Sequence, residues 1–121
     1  KFHEAKITNK SFVKLWGSGK PKREFLHVDD LSDAILFSLE SNLDEFLYNV
    51  GSGEEISIKD LATLVKSVVG YKGQIKWDLS MPDGTPRKLL SIEKLKSKNW
   101  TSKIQLKDGI SSTYNWFLSE C

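Results

Sequence analysis

Leu15-Trp16-Gly17-Ser18-Gly19-Lys20-Pro21-Lys22-Arg23-Glu24-Phe25-Leu26-His27-Val28-Asp29-Asp30 reads as the end of a strand, a glycine turn, a basic loop, a second strand and a helix start. Phe12, Val13 and Leu15 lead into Trp16 as a short β-rich apolar run. Gly17-Ser18-Gly19 permits a tight reversal, because glycine tolerates positive φ. Lys20, Lys22 and Arg23 then put cations beside the turn, with Pro21 stiffening the loop between them. Phe25, Leu26 and Val28 return to strand character, so the region is expected to form a hairpin. Asp29 and Asp30 are placed to accept from the free N–H groups that open a helix. An aromatic ring, a flexible backbone and an arginine within eight residues suit a flat ring carrying phosphate: the guanidinium forks onto phosphate oxygens and the indole offers an apolar face. A solvated basic loop beside a core tryptophan has the same local pattern.

Working outward, the helix from Asp29 to about Glu40 carries Leu31, Ala34, Ile35 and Leu39 as one stripe. Asn42 to Asp44 reads as a turn, and Phe46-Leu47-Tyr48-Asn49-Val50 as a strand that ends at Gly51-Ser52-Gly53. Ser57 and Asp60 form a helix-opening Ser-x-x-Asp pair. Leu61, Leu64, Val65, Val68 and Val69 follow at helical spacing, and Gly70 closes that helix. Gln74 to Asp78 is a strand with Ile75 and Trp77 on one face. Leu79 to Arg87 is a long loop with two prolines and a glycine, the kind of surface segment that often carries function. A short helix from Ser91 to about Ser97 and a last one from Leu106 to Leu118 complete the chain, with Trp100 as a packing anchor. No repeat or linker interrupts it. The fold class expected is a small mixed α/β domain.

The 121 residues suffice for one small domain. They are 39% hydrophobic and 28% charged, with 18 basic and 16 acidic residues, a balance that points away from nucleic acid. Any phosphate affinity must come from local placement. The lone cysteine, Cys121, cannot form an internal disulfide, which fits a reducing compartment. No apolar run reaches the length of a membrane span, and no membrane partner is expected. Lys1-Phe2-His3-Glu4-Ala5-Lys6 looks like the tail of a helix, so the chain is expected to continue something longer. Neither Gly17-x-Gly19 nor Gly51-x-Gly53 supplies the third glycine of a dinucleotide fingerprint. No His/Cys/Asp/Glu cluster has metal-ligand spacing.

Trp16-Gly17-Ser18-Gly19 followed by Arg23-Glu24-Phe25-Leu26-His27-Val28-Asp29-Asp30 resembles the substrate-domain signature of the extended short-chain dehydrogenase/reductases, among them the sugar-nucleotide epimerases and dehydratases. Tyr48-Asn49-Val50-Gly51-Ser52-Gly53 and Pro82-Asp83-Gly84-Thr85-Pro86-Arg87-Lys88-Leu89-Leu90 narrow the resemblance to the GDP-L-fucose synthase family, NADPH-dependent 3,5-epimerase/4-reductases. It runs through essentially the whole chain, to Ser112-Thr113-Tyr114-Asn115-Trp116-Phe117-Leu118.

That resemblance implies a C-terminal substrate-binding domain that holds a GDP-sugar. NADPH and the catalytic Ser/Tyr/Lys set would belong to a preceding Rossmann domain, so no catalytic residue is assigned within 1–121. The full-length enzyme would be cytoplasmic and homodimeric. Arg23 matches an arginine on the nucleotide diphosphate, Trp16 a tryptophan beside the guanine nucleotide and Lys88 a lysine that reaches the phosphates. Lys88 is taken over Arg87, since neighbours on an extended segment point opposite ways and only one should face the site. Asp83 either accepts from ribose or base or simply shapes its turn. Lys1 matches a cationic position near the sugar, and Leu15 contributes backbone contacts. His27 reads as a structural histidine within a strand, and no role is assigned to His3. Other sugar-nucleotide epimerases or dehydratases, and a non-catalytic nucleotide-binding module, are the competing readings. The chain by itself is expected to catalyse nothing.

Overall fold

A computed structural model describes residues 1–120; Cys121 lies outside the described residues. In chain order the elements are α1 (Phe2–Ile7), β1 (Phe12–Trp16), β2 (Lys22–Glu24), α2 (Val28–Glu40), β3 (Glu55–Ser57), α3 (Ile58–Val69), β4 (Gln74–Asp78), β5 (Arg87–Lys88), α4 (Glu93–Ser97) and α5 (Leu106–Glu120). The mixed α/β class is as expected.

The strands form two small sheets. β1 pairs in parallel with β4, from Phe12 opposite Gln74 to Trp16 opposite Asp78. The other sheet has the order β3-β2-β5, with β2 antiparallel to β3 and parallel to β5. The expected hairpin is therefore not formed. Gly17 and Gly19 do turn the chain, each with φ of +74°. The turn, however, hands it from one sheet to the other. The second strand also lies earlier than expected. Lys22 and Arg23 belong to β2 rather than to a loop, and Phe25–Leu26 lead out of it. Phe46–Val50 is not a strand either: no partner offers it a ladder, and Phe46 and Leu47 are exposed. Strand propensity without a neighbour leaves that segment unpaired.

α3 forms as its sequence requires. Ser57 Oγ accepts from the Asp60 N–H at 3.0 Å, and Gly70 closes the helix in the left-handed region. α2 starts differently from expectation. His27 is the N-cap, its Nδ1 accepting from the Asp29 N–H at 3.2 Å, while Nε2 lies 3.2 Å from Ser112 Oγ. The imidazole proton thus belongs on Nε2. Asp30 is buried and serves another segment, accepting the N–H groups of Lys103 and Ile104 at 3.0 Å each. That matches the need of buried carboxylates for partners.

Two cores result. Phe2, Ala5, Val13, Ala62, Val69 and Tyr71 pack α1 and α3 against the β1–β4 pair, with Leu15, Ile75 and Trp77 adding to them. Ala34, Leu95 and Trp100 hold α2 to α4. The three-stranded sheet is thus the polar part of the molecule, and its charges are available for other work.

Candidate functional site

β2 carries Lys22, Arg23 and Glu24, and its pleat sends their side chains alternately to the two faces of the sheet. Lys22 is opposite Arg87 on β5, and Arg23 is opposite Lys88. Register partners on neighbouring strands share a face. The four cations are thereby sorted into two pairs. On one face Glu55 of β3 takes both Lys22 (3.0 Å) and Arg87 (2.6 Å). Those two cations hold the Glu55 carboxyl below the usual carboxylate range, Arg87 most of all. On the other face Arg23 and Lys88 have no carboxylate partner among the described residues. Arg23 gives one N–H to the Lys22 carbonyl at 2.6 Å. Of Arg87 and Lys88, only Lys88 shares the Arg23 face.

The loop between β4 and β5 joins this pair to the end of β1. Asp83 accepts from both the N–H and the hydroxyl of Ser18, at 2.5 and 2.6 Å. Those bonds keep its carboxyl below its ordinary range. Its neighbour Gly84, at φ of +73°, faces the Arg23 guanidinium, 4.0 Å from where a Cβ would stand. Trp16, two residues before Ser18, is 67% exposed, so its indole is not a core group. The Lys1 ammonium stands 5.9 Å from the centre of that ring. Leu15 turns its side chain to the core and pairs through its backbone with Trp77. Lys1, Trp16, Ser18, Asp83, Arg23 and Lys88 thus follow one another along an open belt, with Leu15 behind it. Glu24 and Glu55 are the supports that motif reading missed. The alternation Lys22-Arg23-Glu24 was the available signal, but it needed the strand assignment to be read.

Neither glycine pair is open to a dinucleotide diphosphate. A Cβ at Gly19 would stand 2.6 Å from the Trp77 ring, and one at Gly17 would collide with Asp83. Gly53 lies equally close to Ile92, and Gly51 is packed on the Glu24 carboxylate. These close approaches serve packing within the chain, and at the α3 N-terminus beside Gly19 the Lys59 N–H is already taken by the Gly19 carbonyl at 2.9 Å. Among the described residues no group of three His, Cys, Asp or Glu side chains could hold a metal ion. No helix among the described residues is long and apolar enough to cross a membrane. A groove of about 660 Å³ runs between α3 and α5, where Leu61, Val65, Ile110, Tyr114 and Phe117 face each other.

Residues 1–51 match the NAD dependent epimerase/dehydratase family. A putative GDP-L-fucose synthase of Arabidopsis thaliana is 58% identical over 98% of this chain, which spans 36% of that relative's length. Among solved structures, a GDP-L-fucose synthetase from Naegleria fowleri superposes with a TM-score of 0.89 at 29% identity, over 98% of this chain and 37% of that one. A GDP-mannoheptose C4 reductase from Campylobacter jejuni, with NADP bound, gives 0.84 at 36% identity, over 97% of this chain and 42% of its own. The chain thus spans little more than a third of the relatives it matches. By sequence and by fold alike, the chain is similar to one part of the GDP-L-fucose synthases, and its first 51 residues match the NAD dependent epimerase/dehydratase family.

Proposed function

We propose that residues 1–121 are the substrate-binding part of an epimerase/reductase that acts on a GDP-linked 4-keto-6-deoxy-mannose, and that the belt from Trp16 to Lys88 takes the nucleotide. The observation that carries this is the pairing of Arg23 with Lys88 on one sheet face, both without a carboxylate among the described residues, beside an exposed indole. A diphosphate supplies the missing negative charge. The guanidinium makes two parallel bonds to its oxygens, and the ammonium adds a point charge. Trp16 stacks against guanosine, and Lys1, beside it, reaches toward the sugar. Asp83, engaged by Ser18, acts by holding the loop that brings Gly84 up to Arg23 and leaves its backbone free to approach the ligand.

Binding at the nucleotide end positions carbons that react elsewhere. C3 and C5 would exchange protons next to the C4 carbonyl, and NADPH, when bound to the assembled enzyme, would supply the hydride for C4. The groups for those steps, and the cofactor's own diphosphate cradle, belong to a preceding Rossmann part. The assembled enzyme is a cytoplasmic homodimer on this reading. The residues of this chain bind and orient, and by themselves turn nothing over.

Calorimetric titration of GDP against UDP and dTDP tests the base preference, with GDP binding tightest. Arg23→Ala is expected to weaken GDP by about 1.5–3 kcal/mol, the scale of a hydrogen bond to a charged group. Unchanged affinity in a folded variant removes Arg23 from the site. A second reading, C4 reduction of a different GDP-sugar, is favoured by the likeness to the GDP-mannoheptose C4 reductase. It shares the nucleotide site and differs in the sugar turned over by the full-length enzyme.

A further inference from the structure

Glu24 follows Arg23 directly in sequence, where an acidic group would repel a phosphate if it shared the arginine's face. The pleat of β2 sends it to the opposite face. There its two oxygens divide between two remote backbone groups. Oε1 accepts from the Gly53 N–H at 2.6 Å, and Oε2 from the Leu90 N–H at 3.1 Å. Gly51 lies against the same carboxylate so closely that a Cβ there would stand 2.8 Å from its carbon.

Leu90 is two residues past Lys88, and β5 is only two residues long. So short a ladder fixes little by itself. The Lys22 N–H donates to Pro86 at 2.9 Å before it, Arg87 is held by Glu55, and Leu90 is held by Glu24. Lys88 therefore stands between two carboxylate anchors while making no ion pair of its own among the described residues.

We propose that Glu24 is a positioning residue for nucleotide binding: by accepting the Leu90 N–H it fixes the strand that holds Lys88 beside Arg23. This rests on the nucleotide reading above. It also explains why the residue carries a carboxylate. Here the two N–H donors lie one on each oxygen, and an amide of the same shape offers one oxygen and one NH2 group in their place. In Glu24→Gln the oxygen stays with the closer Gly53 N–H, and the amide nitrogen is left facing the Leu90 N–H. The isosteric change releases Leu90 while keeping the packing.

The test uses the full-length protein, with GDP as the titrant and backbone amide exchange as a second readout. Glu24→Gln is expected to weaken GDP about tenfold, the worth of one charge-assisted bond. Exchange at Leu90 is expected to quicken more than at Gly53. In a Lys88→Ala background the same substitution should change GDP affinity less than twofold, because its route of action is gone. An equal loss in both backgrounds overturns the proposal in favour of a merely structural role. Unchanged affinity in Glu24→Gln while Arg23→Ala still weakens GDP overturns it and leaves the nucleotide reading standing. No effect from Arg23→Ala or Lys88→Ala overturns that reading, and the role of Glu24 with it.

Discussion

Trp16 shows what a single residue can and cannot reveal. Its place after an apolar strand fits core packing and ligand stacking equally, because both need a large flat ring at a strand end. Its exposure of 67% decides against the core. Trp16→Ala therefore opens no cavity. Its stability should stay within about 0.5 kcal/mol of the parent, as for surface substitutions in general. The change in intrinsic fluorescence on adding GDP should shrink; an undiminished change would place the nucleotide away from this indole. Arg87 and Lys88 are the opposite case. The rule that neighbours on a strand point opposite ways was legible in the sequence. Which of the two faces the Arg23 side depended on Glu55, some thirty residues away, and that was not. Asp83 was legible as a loop residue, but its hold on Ser18 is a contact between positions 65 apart in the chain.

Among the elements, those fixed by local rules were readable. α3 carries its start signal in Ser57 and its stop in Gly70, with an apolar stripe between them. Ser57→Ala should cost about 1 kcal/mol through the lost cap. Gly70→Ala should cost roughly 1–2 kcal/mol, because φ of +72° strains any side chain even though the space around it is open. Urea unfolding measures both, and a neutral result for Gly70→Ala would mean that the helix end re-forms in another conformation. The short strands were not readable. β2, β3 and β5 are two or three residues each, polar, and defined only by one another. Phe46–Val50 made the converse error, strong propensity with no partner. The expected hairpin failed for the same reason. Gly17–Gly19 has the right turn chemistry, yet β1 finds its ladder sixty residues on, in β4. Local sequence reports how a chain turns, and says little about what it then meets.

At the scale of the whole molecule, two cores of modest size leave much apolar surface uncovered. Leu31, Ile35, Leu36 and Leu39 of α2 are exposed, as are Phe46 and Leu47. Apolar side chains gathered in this way on one helix form a surface that favours association. The 121-residue chain on its own should bind a hydrophobic dye such as ANS while keeping its far-ultraviolet circular dichroism, and absence of dye binding would show that the face is covered. Acid should also loosen the fold. Asp78 is drawn from its ordinary 3.8 down to about 2, chiefly by the bond from Lys14, and Asp44 to about 2, chiefly by Lys98. Below pH 4 the unfolded chain takes up protons that these folded carboxylates still refuse, so stability is full above about pH 4 and lost as pH falls toward 2. Urea midpoints measured from pH 6 to pH 2 should be flat at first and then fall; a midpoint constant down to pH 2 would contradict it. The charge sorting on β5 has one more consequence. Positions 87 and 88 are both cationic, so if an insertion in the 79–86 loop slid the strand by one step, Arg87 would take the place beside Arg23 and Lys88 would swing to the other face; a deletion would instead bring the apolar Leu89 beside Arg23. The segment is thereby forgiving of a lengthened loop and not of a shortened one, and natural variants should keep a positive group beside Arg23 where the loop gains a residue.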